Sequence, residues 1–200
     1  MKKTLLVFVL VAISSLFWVS CSKGKTVKSV TAGETVTDAD WSADDLQKVS
    51  KYMIDSISDA KFIGSAKYRQ EKPRWMLSQE LANDSDEHIN TRVIMEKIRT
   101  KLINNAVGIF IDDQALNEAL KQQSMQQSDL FDNSKAAQVG KIVGAKLILR
   151  GRISNIRKKD AQTDINFYNI TLQIVDLETT QILWTDEYEM GRAAEKGTFR

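Results

Sequence analysis

The chain has 200 residues, which is enough for one domain with additional segments or for two small domains. Its formal net charge is +2, and Lys2 and Lys3 account for that excess because residues 1–20 contain no acidic residue. A neutral body does not suit a nucleic-acid-binding protein, which needs a basic face to neutralise phosphates. The single cysteine excludes an internal disulfide and a cysteine-cluster metal site, and the single histidine argues against most zinc sites.

Residues 1–20 have the layout of a secretory signal peptide. A short basic start precedes an unbroken apolar run over residues 5–13, and the small residue Ser20 follows at the end of the segment. The apolar run is too short to be a comfortable membrane span. The only cysteine, Cys21, comes directly after Ser20. The pattern therefore predicts a signal peptide that is removed at or near Cys21.

The position of Cys21 resembles the bacterial lipoprotein signal, in which the cysteine is diacylated through its sulfur and becomes the first residue of the mature chain. Val19 and Ser20 fit that signal, whereas Trp18 stands where an aliphatic residue is usual. An ordinary signal peptide cut nearby is the alternative, but it would leave a free thiol in an oxidising compartment. We therefore predict lipidation of Cys21 and no other cofactor. Ser22, in place of an aspartate, resembles the sorting signal for the outer membrane.

Residues 21–40, which begin with the predicted lipid anchor, are predicted to form a flexible tether. They are rich in Ser, Thr, Gly and charge and have no apolar periodicity. From residue 22 onward the tether would reach at most about 60 Å when fully extended. The alternative is a first strand within residues 26–37. A globular body is predicted over residues 41–190, and residues 191–200 are expected to be a disordered tail.

The first part of the body alternates helices with short strands. Ser42 and Asp45 form a capping-box pattern, which predicts a helix over residues 43–59. Its apolar face carries residues at helical spacing, namely Leu46, Val49, Met53 and Ile57. Residues 61–72 are interpreted as a loop. The other elements predicted here are a strand at 74–81, a polar turn at 82–87, a helix at 90–104 and a strand at 107–111.

Two further helices are predicted before the final strands. Either Asp112 or Asp113 caps the first of them, and Ser134 caps the second, which ends at Gly144. The earlier helix at 90–104 is expected to turn a set of aliphatic residues inward, namely Val93, Ile94, Ile98 and Leu102.

Three long strands are predicted to close the body, at residues 146–157, 166–176 and 181–189. Each alternates between an apolar and a polar face, and the last is expected to place Ile182, Trp184 and Tyr188 on one face. One polar face per strand is typical of an antiparallel sheet with one side wet or only partly covered. The element order predicts an α+β fold with a mainly antiparallel sheet of about five strands, packed with about four helices.

The sequence offers no convincing catalytic or metal-binding residues. His88 lies in a polar turn beside Asp86 and Glu87, where an exposed role is the simpler interpretation. Adjacent acids such as those at positions 112 and 113 stand at helix starts, where they serve as caps. A glycine-rich phosphate loop and a Gly-x-Ser-x-Gly motif are both absent from the sequence. The chain is therefore not expected to be an enzyme.

A basic set is the candidate docking surface: Arg150, Arg152, Arg157, Lys158 and Lys159. Such a surface would suit an acidic protein domain or a cell-wall polymer that carries carboxylates. Arg150 and Arg152 share the polar face of one strand, and Glu187 and Glu189 share that of the last strand. Cross-strand pairing between these two sets is expected to neutralise part of the surface. The alternative is a solvated sheet face without a partner.

Many segments of the body resemble the LpoB-type lipoproteins. These segments are Asp40-Trp41, Asp45-Leu46, 85–91, 96–99, 129–132, 136–141, Gly144-Ala145, 176–179 and 184–187. The resemblance covers residues 40–190. It implies a small α+β domain like the N-terminal domain of the translocation protein TolB. It also implies an outer-membrane lipoprotein that activates a bifunctional, class A penicillin-binding protein.

The resemblance implies a mechanism without catalysis by this chain. A lipid-anchored domain facing the periplasm would reach through the cell wall and bind an accessory domain of the synthase, favouring the active state. Peptidoglycan itself is a second candidate partner. The predicted tether is shorter than in the best-known members and has no proline, since the only proline is Pro73. The alternative is a non-enzymatic scaffolding lipoprotein of a secretion or envelope complex, of the curli-secretion or TolB-like class.

Overall fold

The structure, a computed structural model, describes residues 38–195. The predicted signal peptide, Cys21, most of the tether and the alternative strand within residues 26–37 lie outside the described residues, as do residues 196–200. Among the helices of the described part, none is long and apolar enough to cross a bilayer.

Five α-helices, one 3-10 helix and six strands are formed by residues 38–195. The helices are α1 (Ala43–Ser58), α2 (Ala66–Glu71), α3 (Thr91–Asn104), α4 (Asp113–Gln122), the 3-10 helix (Gln127–Phe131) and α5 (Asn133–Val143). The strands are β1 (Arg74–Leu77), β2 (Ala82–Asp84), β3 (Ile109–Phe110), β4 (Leu147–Lys159), β5 (Thr163–Asp176) and β6 (Ile182–Glu195). The predicted α+β fold is confirmed.

The strands form a single sheet in the order β3-β1-β4-β5-β6, with β2 paired to β4 beyond the end of β1. The three short strands pair in parallel, and the long β4–β5 and β5–β6 ladders are antiparallel. The mainly antiparallel character is therefore confirmed. The sheet has one strand more than about five because Ala82–Asp84, predicted as a turn, pairs with Arg152–Ser154 of β4.

The main core lies between one face of the sheet and the helices α1 and α3. Leu149 and Ile153 of β4 and Ile170 of β5 are fully buried on this face, as the alternation predicted. Val49 of α1 and Ile98 of α3 pack into the same cluster. Burial of each such side chain contributes about 1.5–3 kcal/mol, so the stripes on the two helices hold them against the sheet.

The other face of the sheet is covered at one end only. There α4, the 3-10 helix and α5 bury Ile148 of β4 and Val175 of β5 in a second cluster. Helix α5 begins after Asp132, whose side chain accepts from the backbone of residues 134 and 135, so the predicted cap at Ser134 is wrong by two residues. It ends at Gly144 with a φ of 69°, as predicted.

Two other local predictions are corrected. Residues 66–71, interpreted as part of a loop, form α2, whose start is capped by Ser65. This helix buries none of its residues, so no apolar periodicity reveals it. Strand β1 ends at Leu77 rather than at residue 81. On α3, Val93 is 42% exposed instead of buried, because the inward stripe runs through Met95.

Strand β6 continues to Glu195, so the prediction of a disordered tail from residue 191 is wrong for residues 191–195. The residues at the start of β6 also lie on faces other than those predicted, because the register with β5 shifts between Ile174 and Val175. Ile182 is consequently 57% exposed and no longer shares the buried face with Trp184. A bulge of this kind moves an apolar residue to the opposite side of a strand.

Candidate docking surface

A large part of the sheet face that carries Ile148 is not covered by α4 or α5. We call this part the open face. It is formed by alternate residues of the three long strands: Arg152, Ser154, Ile156 and Lys158 on β4, Phe167, Asn169 and Thr171 on β5, and Glu187, Glu189 and Gly191 on β6. The opposite face of the same strands is buried under α1 and α3, so the open face is the broad solvent-facing side of the sheet.

An apolar pair lies at the centre of the open face. Ile156 is 70% exposed and Phe167 is 55% exposed, and the two are directly opposed in the β4–β5 ladder. The Phe167 ring rests on Gly191 of β6, where a Cβ atom would lie 2.9 Å from the ring. A shallow depression of about 280 Å³ borders the pair. Adjacent large apolar side chains on an exposed sheet are typical of an interaction site.

Charged residues of opposite sign flank this apolar pair. Arg152 and Lys158 lie on the β4 side, and Glu187 and Glu189 lie on the β6 side. The predicted pairing between the basic and the acidic set is wrong, because β5 separates β4 from β6. Instead, Asn169 of β5 donates to Glu187 at 3.3 Å and to Glu189 at 3.4 Å. On the β4 side, Arg152 pairs with Asp84 of β2 at 2.9 Å, so among the described residues the open face has Lys158 as its unpaired cation on one side and the two glutamates on the other.

Arg150 does not belong to this surface, which corrects its place in the predicted basic set. Only 6% of it is exposed, because the 3-10 helix and the start of α5 cover it. Its guanidinium donates to the carbonyl oxygen of Leu130 at 2.8 Å and to Asn133 Oδ1 at 2.7 Å. Burial lowers the pKa of Arg150 from its usual value. The residue fastens these two elements to β4 and has a structural role.

Arg157 and Lys159 lie on the opposite face from Lys158 and are also removed from the open face. Arg157 donates to both carboxylate oxygens of Asp164, at 2.8 and 2.5 Å, and pairs with Asp40 at 2.8 Å. Lys159 pairs with the same Asp164 at 2.8 Å. These hydrogen bonds raise the pKa of Arg157 and lower that of Asp164. Of the predicted basic set, only Arg152 and Lys158 remain on the candidate surface.

A buried polar network fixes the first described residues to this opposite face. Glu87 accepts from the Tyr168 hydroxyl at 2.5 Å, from the Asn166 amide at 2.7 Å and from the Trp41 backbone at 2.9 Å. Burial raises the pKa of Tyr168, and the hydrogen bond with Glu87 raises it further. Ala39 is fully buried beside these groups. The network holds residues 39–41 away from the open face, and Glu87 was not predicted to have such a role.

The Asp164 cluster makes the stability of the domain depend on pH. The pKa of Asp164 is lowered in the folded state, so its contribution is complete above the unfolded value of about 3.9 and is lost as the pH falls further. We expect the urea midpoint of the wild-type chain to fall between about pH 5 and pH 3. The urea midpoint of Asp164→Asn is expected to fall less over the same pH interval. Urea titrations followed by circular dichroism would measure both midpoints.

Asp164→Asn should retain part of the acid sensitivity, because the pKa values of Asp129 and Asp160 are also lowered, by Lys135 and by backbone N–H groups respectively. An equal fall in the urea midpoint for the wild type and for Asp164→Asn would contradict a stabilising role of the ionised Asp164.

The described residues do not suggest a catalytic or metal centre. His88 is exposed at the end of the turn that follows β2. Within residues 38–195, no group of three or more His, Cys, Asp or Glu side chains is arranged to hold a metal ion. The open face, with its apolar centre and charged sides, is therefore the candidate functional site.

Comparison with known proteins agrees with this fold. The C-terminal domain of LpoB from Escherichia coli matches with a TM-score of 0.55 and 19% identity, covering 73% of this chain and 98% of that one. The C-terminal domain of LpoB from Salmonella enterica matches with a TM-score of 0.50 and 18% identity, covering 72% of this chain and 94% of that one. The NMR structure of E. coli LpoB matches with a TM-score of 0.51 and 18% identity, covering 86% of this chain and 78% of that one. At these identities the structural likeness shows the fold alone.

The family evidence comes from the sequence itself. No curated protein sequence matches the chain. The family described as "Peptidoglycan-synthase activator LpoB" matches residues 45–190, from the first turn of α1 into β6. Because this match spans most of the folded domain, the chain belongs to the LpoB family of peptidoglycan-synthase activators.

Proposed function

We propose that this chain is an outer-membrane lipoprotein, anchored through a lipid on Cys21, that binds and activates a class A penicillin-binding protein in the periplasm. The observation that carries the proposal is the family match over residues 45–190. The signal pattern that ends at Cys21 supports the anchor. Activation by a ligand requires tighter binding to the active state of the synthase than to the inactive state, so no catalytic residue of this chain is needed.

The open face is the proposed docking surface for the synthase. Ile156 and Phe167 supply an apolar centre that can be desolvated on binding, as the central residues of protein interfaces are. Lys158 on one side and Glu187 and Glu189 on the other favour one orientation of the partner. Residues 39–41 contact the opposite face, so the described chain leaves the open face accessible.

Loss of the apolar centre is expected to impair activation without unfolding the domain. For the double variant Ile156→Ser/Phe167→Ser, we expect the concentration needed for half-maximal activation to rise at least about tenfold, which is about 1.4 kcal/mol of binding. Both side chains are already largely exposed, so their loss should cost little stability. The measurement is the rate of lipid II polymerisation by the purified class A synthase of the same cells.

The matched control is Val93→Ser/Ile142→Ser, which removes two exposed aliphatic side chains from the helices α3 and α5 instead of from the sheet. It should activate like the wild type. Equal activation by the open-face variant would exclude the open face as the docking surface. A wild-type chain that neither binds nor accelerates the synthase would overturn the activator function itself, and recovery of only secretion or Tol components from crosslinked cells would favour the scaffolding alternative.

Lipidation of Cys21 has its own test. We expect radiolabelled palmitate to be incorporated into the wild-type chain, which should fractionate with the outer membrane, and not into Cys21→Ser, which should be found in the soluble periplasmic fraction. Mass spectrometry of the mature wild-type N-terminus should show an acylated cysteine as the first residue. An unmodified Cys21 thiol in the wild type would contradict the proposed anchor.

A further inference from the structure

A groove lies at the edge of the sheet farthest from β6, between α2, the end of α3 and strand β3. Its volume is about 780 Å³, within the range of sites that bind ligands or peptide side chains. Its lining is mainly apolar, and two aliphatic side chains in it are about half exposed, Ile103 at 48% and Ile109 at 52%. This groove shares no residue with the open face.

The floor of the groove is held in place by partly buried hydrogen bonds and by ring contacts. The Tyr68 hydroxyl donates to the carbonyl oxygen of Val107 at 2.6 Å and accepts from Trp75 Nε1 at 3.0 Å. The rings of Trp75 and Phe110 lie 5.3 Å apart. A Cβ atom on Gly108 would lie 3.0 Å from the Phe110 ring, so glycine allows this close packing. A groove that is formed before binding loses little ordering entropy when it is occupied.

Strand β3 presents an unpaired edge beside the groove. It ends the strand order, with β1 as its only neighbour in the described part of the chain. The backbone N–H of Ile111 donates to the carbonyl oxygen of Trp75 in β1 at 2.8 Å. Because backbone groups alternate in direction along a strand, Phe110 directs its N–H and C=O away from β1. Such an edge can accept a further strand.

The charge at the rim of the groove selects the ligand. Arg69 and Lys72 line it, and none of the residues that line it is acidic. Lys72 is exposed at the end of α2 and forms no ion pair with a described residue. Arg69 donates to the carbonyl oxygen of Gly64 at 3.2 Å through Nε and remains exposed. A cationic rim over an apolar floor is complementary to a ligand that is apolar with an acidic end.

We propose that this groove binds an extended segment of another protein, which adds a strand to the free edge of β3. Alternate apolar side chains of the segment would enter the groove, and an acidic residue would pair with Lys72 and Arg69. The segments of this chain on either side of the described residues carry a net positive charge: residues 22–37 contain three lysines and one acid, Glu34, and residues 196–200 contain Lys196 and Arg200 and no acid. The inference does not depend on the activator function.

The test uses the full-length chain in detergent and a panel of fluorescein-labelled hexapeptides, Thr-Val-Xaa-Val-Asp-Glu, in which Xaa is Leu, Ile, Phe or Trp. At least one member should bind with a Kd of about 10–100 μM, measured by fluorescence anisotropy. Counterparts that end in Lys-Lys should bind at least about tenfold more weakly, because they meet the cationic rim.

Strand addition has a signature that a merely apolar contact lacks. Only every second N–H of an added strand faces β3, so N-methylation of one alternate set of peptide amides should abolish binding, whereas methylation of the other set should not. Lys72→Glu is expected to weaken the binding of the acidic peptides at least about tenfold. The matched control is Lys121→Glu, an exposed reversal of charge at the end of α4 that should leave the Kd unchanged.

Three results with the peptides would each overturn the proposal. The first is no binding of any acidic peptide at about 1 mM, a concentration that would detect affinities far below the expected range. The second is equal binding of the two N-methylated sets, and the third is equal binding by Lys72→Glu and the wild type. Binding of anionic phospholipid vesicles that Lys72→Glu abolishes, in the absence of peptide binding, would also overturn it and would assign the groove to a membrane surface.

Discussion

Gly151→Ala is expected to lower the free energy of unfolding by about 3 kcal/mol, at the upper end of overpacking costs. Gly151 lies in β4 on the face that packs against α1 and α3. A Cβ atom there would lie closer than 3.0 Å to the carbonyl oxygen of Thr171 and to Leu172 Cδ2, and 3.1 Å from Leu81 Cδ2. The Thr171 carbonyl belongs to the neighbouring strand β5, so it cannot move away without opening the ladder. Guanidinium unfolding followed by tryptophan fluorescence would measure the loss.

The matched control for this variant is Gly64→Ala. The nearest atom that a Cβ on Gly64 would meet is the carbonyl oxygen of Lys61 at 3.7 Å, which is an ordinary contact. We therefore expect a change within about 0.5 kcal/mol. A chain with Gly151→Ala that is too unstable to purify would be the same result in a stronger form. A wild-type unfolding midpoint for Gly151→Ala would contradict the close approach of β4 and β5 at this glycine.

The elements predicted correctly are those whose signals are local. Ser42 and Asp45 form the predicted capping box, with Asp45 Oδ2 accepting from the Ser42 backbone at 2.9 Å. The alternation along β4 and β5 placed their apolar residues on the buried face, because side chains of a strand point to opposite sides in turn. Caps and periodicity depend on near neighbours in the chain, and the sequence therefore carries them directly.

The elements that were missed depend on distant partners. Residues 82–84 are Ala-Asn-Asp, a composition typical of a turn. They form β2 only because β4 extends past the end of β1, which leaves backbone groups of β4 free to pair with them. Helix α2 is six residues long and amphipathic periodicity cannot be recognised over so short a span. In both cases the tertiary environment decides the local structure.

The candidate site was predicted only in part for the same reason. Arg150 and Arg152 share one face of β4, but whether that face is covered depends on where α4 and α5 end. One signal in the sequence does indicate the site: Ile156 follows Ile153 by three residues, which breaks the alternation and places an apolar residue on the polar face. Nothing in the neighbouring sequence indicates that the opposed residue would be Phe167.

Arg192→Ala is expected to destabilise the domain by about 3 kcal/mol, because it removes one partner of a buried ion pair and leaves the other charge uncompensated. The guanidinium of Arg192 contacts both carboxylate oxygens of Asp45, at 3.0 and 2.9 Å, and donates to Ser42 Oγ at 3.1 Å. The side chains of Arg192 and Asp45 are only 9% and 4% exposed. The pair joins the end of β6 to the first turn of α1, and urea unfolding would measure its loss.

The control is Arg152→Ala, which breaks the ion pair with Asp84 in which both side chains are about half exposed or more, at 65% and 48%. Such a pair is worth less than about 1 kcal/mol. Asp45→Ala should destabilise the domain at least as much as Arg192→Ala. The double variant should lose less free energy of unfolding than the sum of the two single losses, because its second substitution removes a charge that is already unpaired. A loss for Arg192→Ala no larger than that for Arg152→Ala would contradict the attachment of β6 to α1. The family match ends at residue 190, so the expected result would establish that the stable domain continues beyond the matched region.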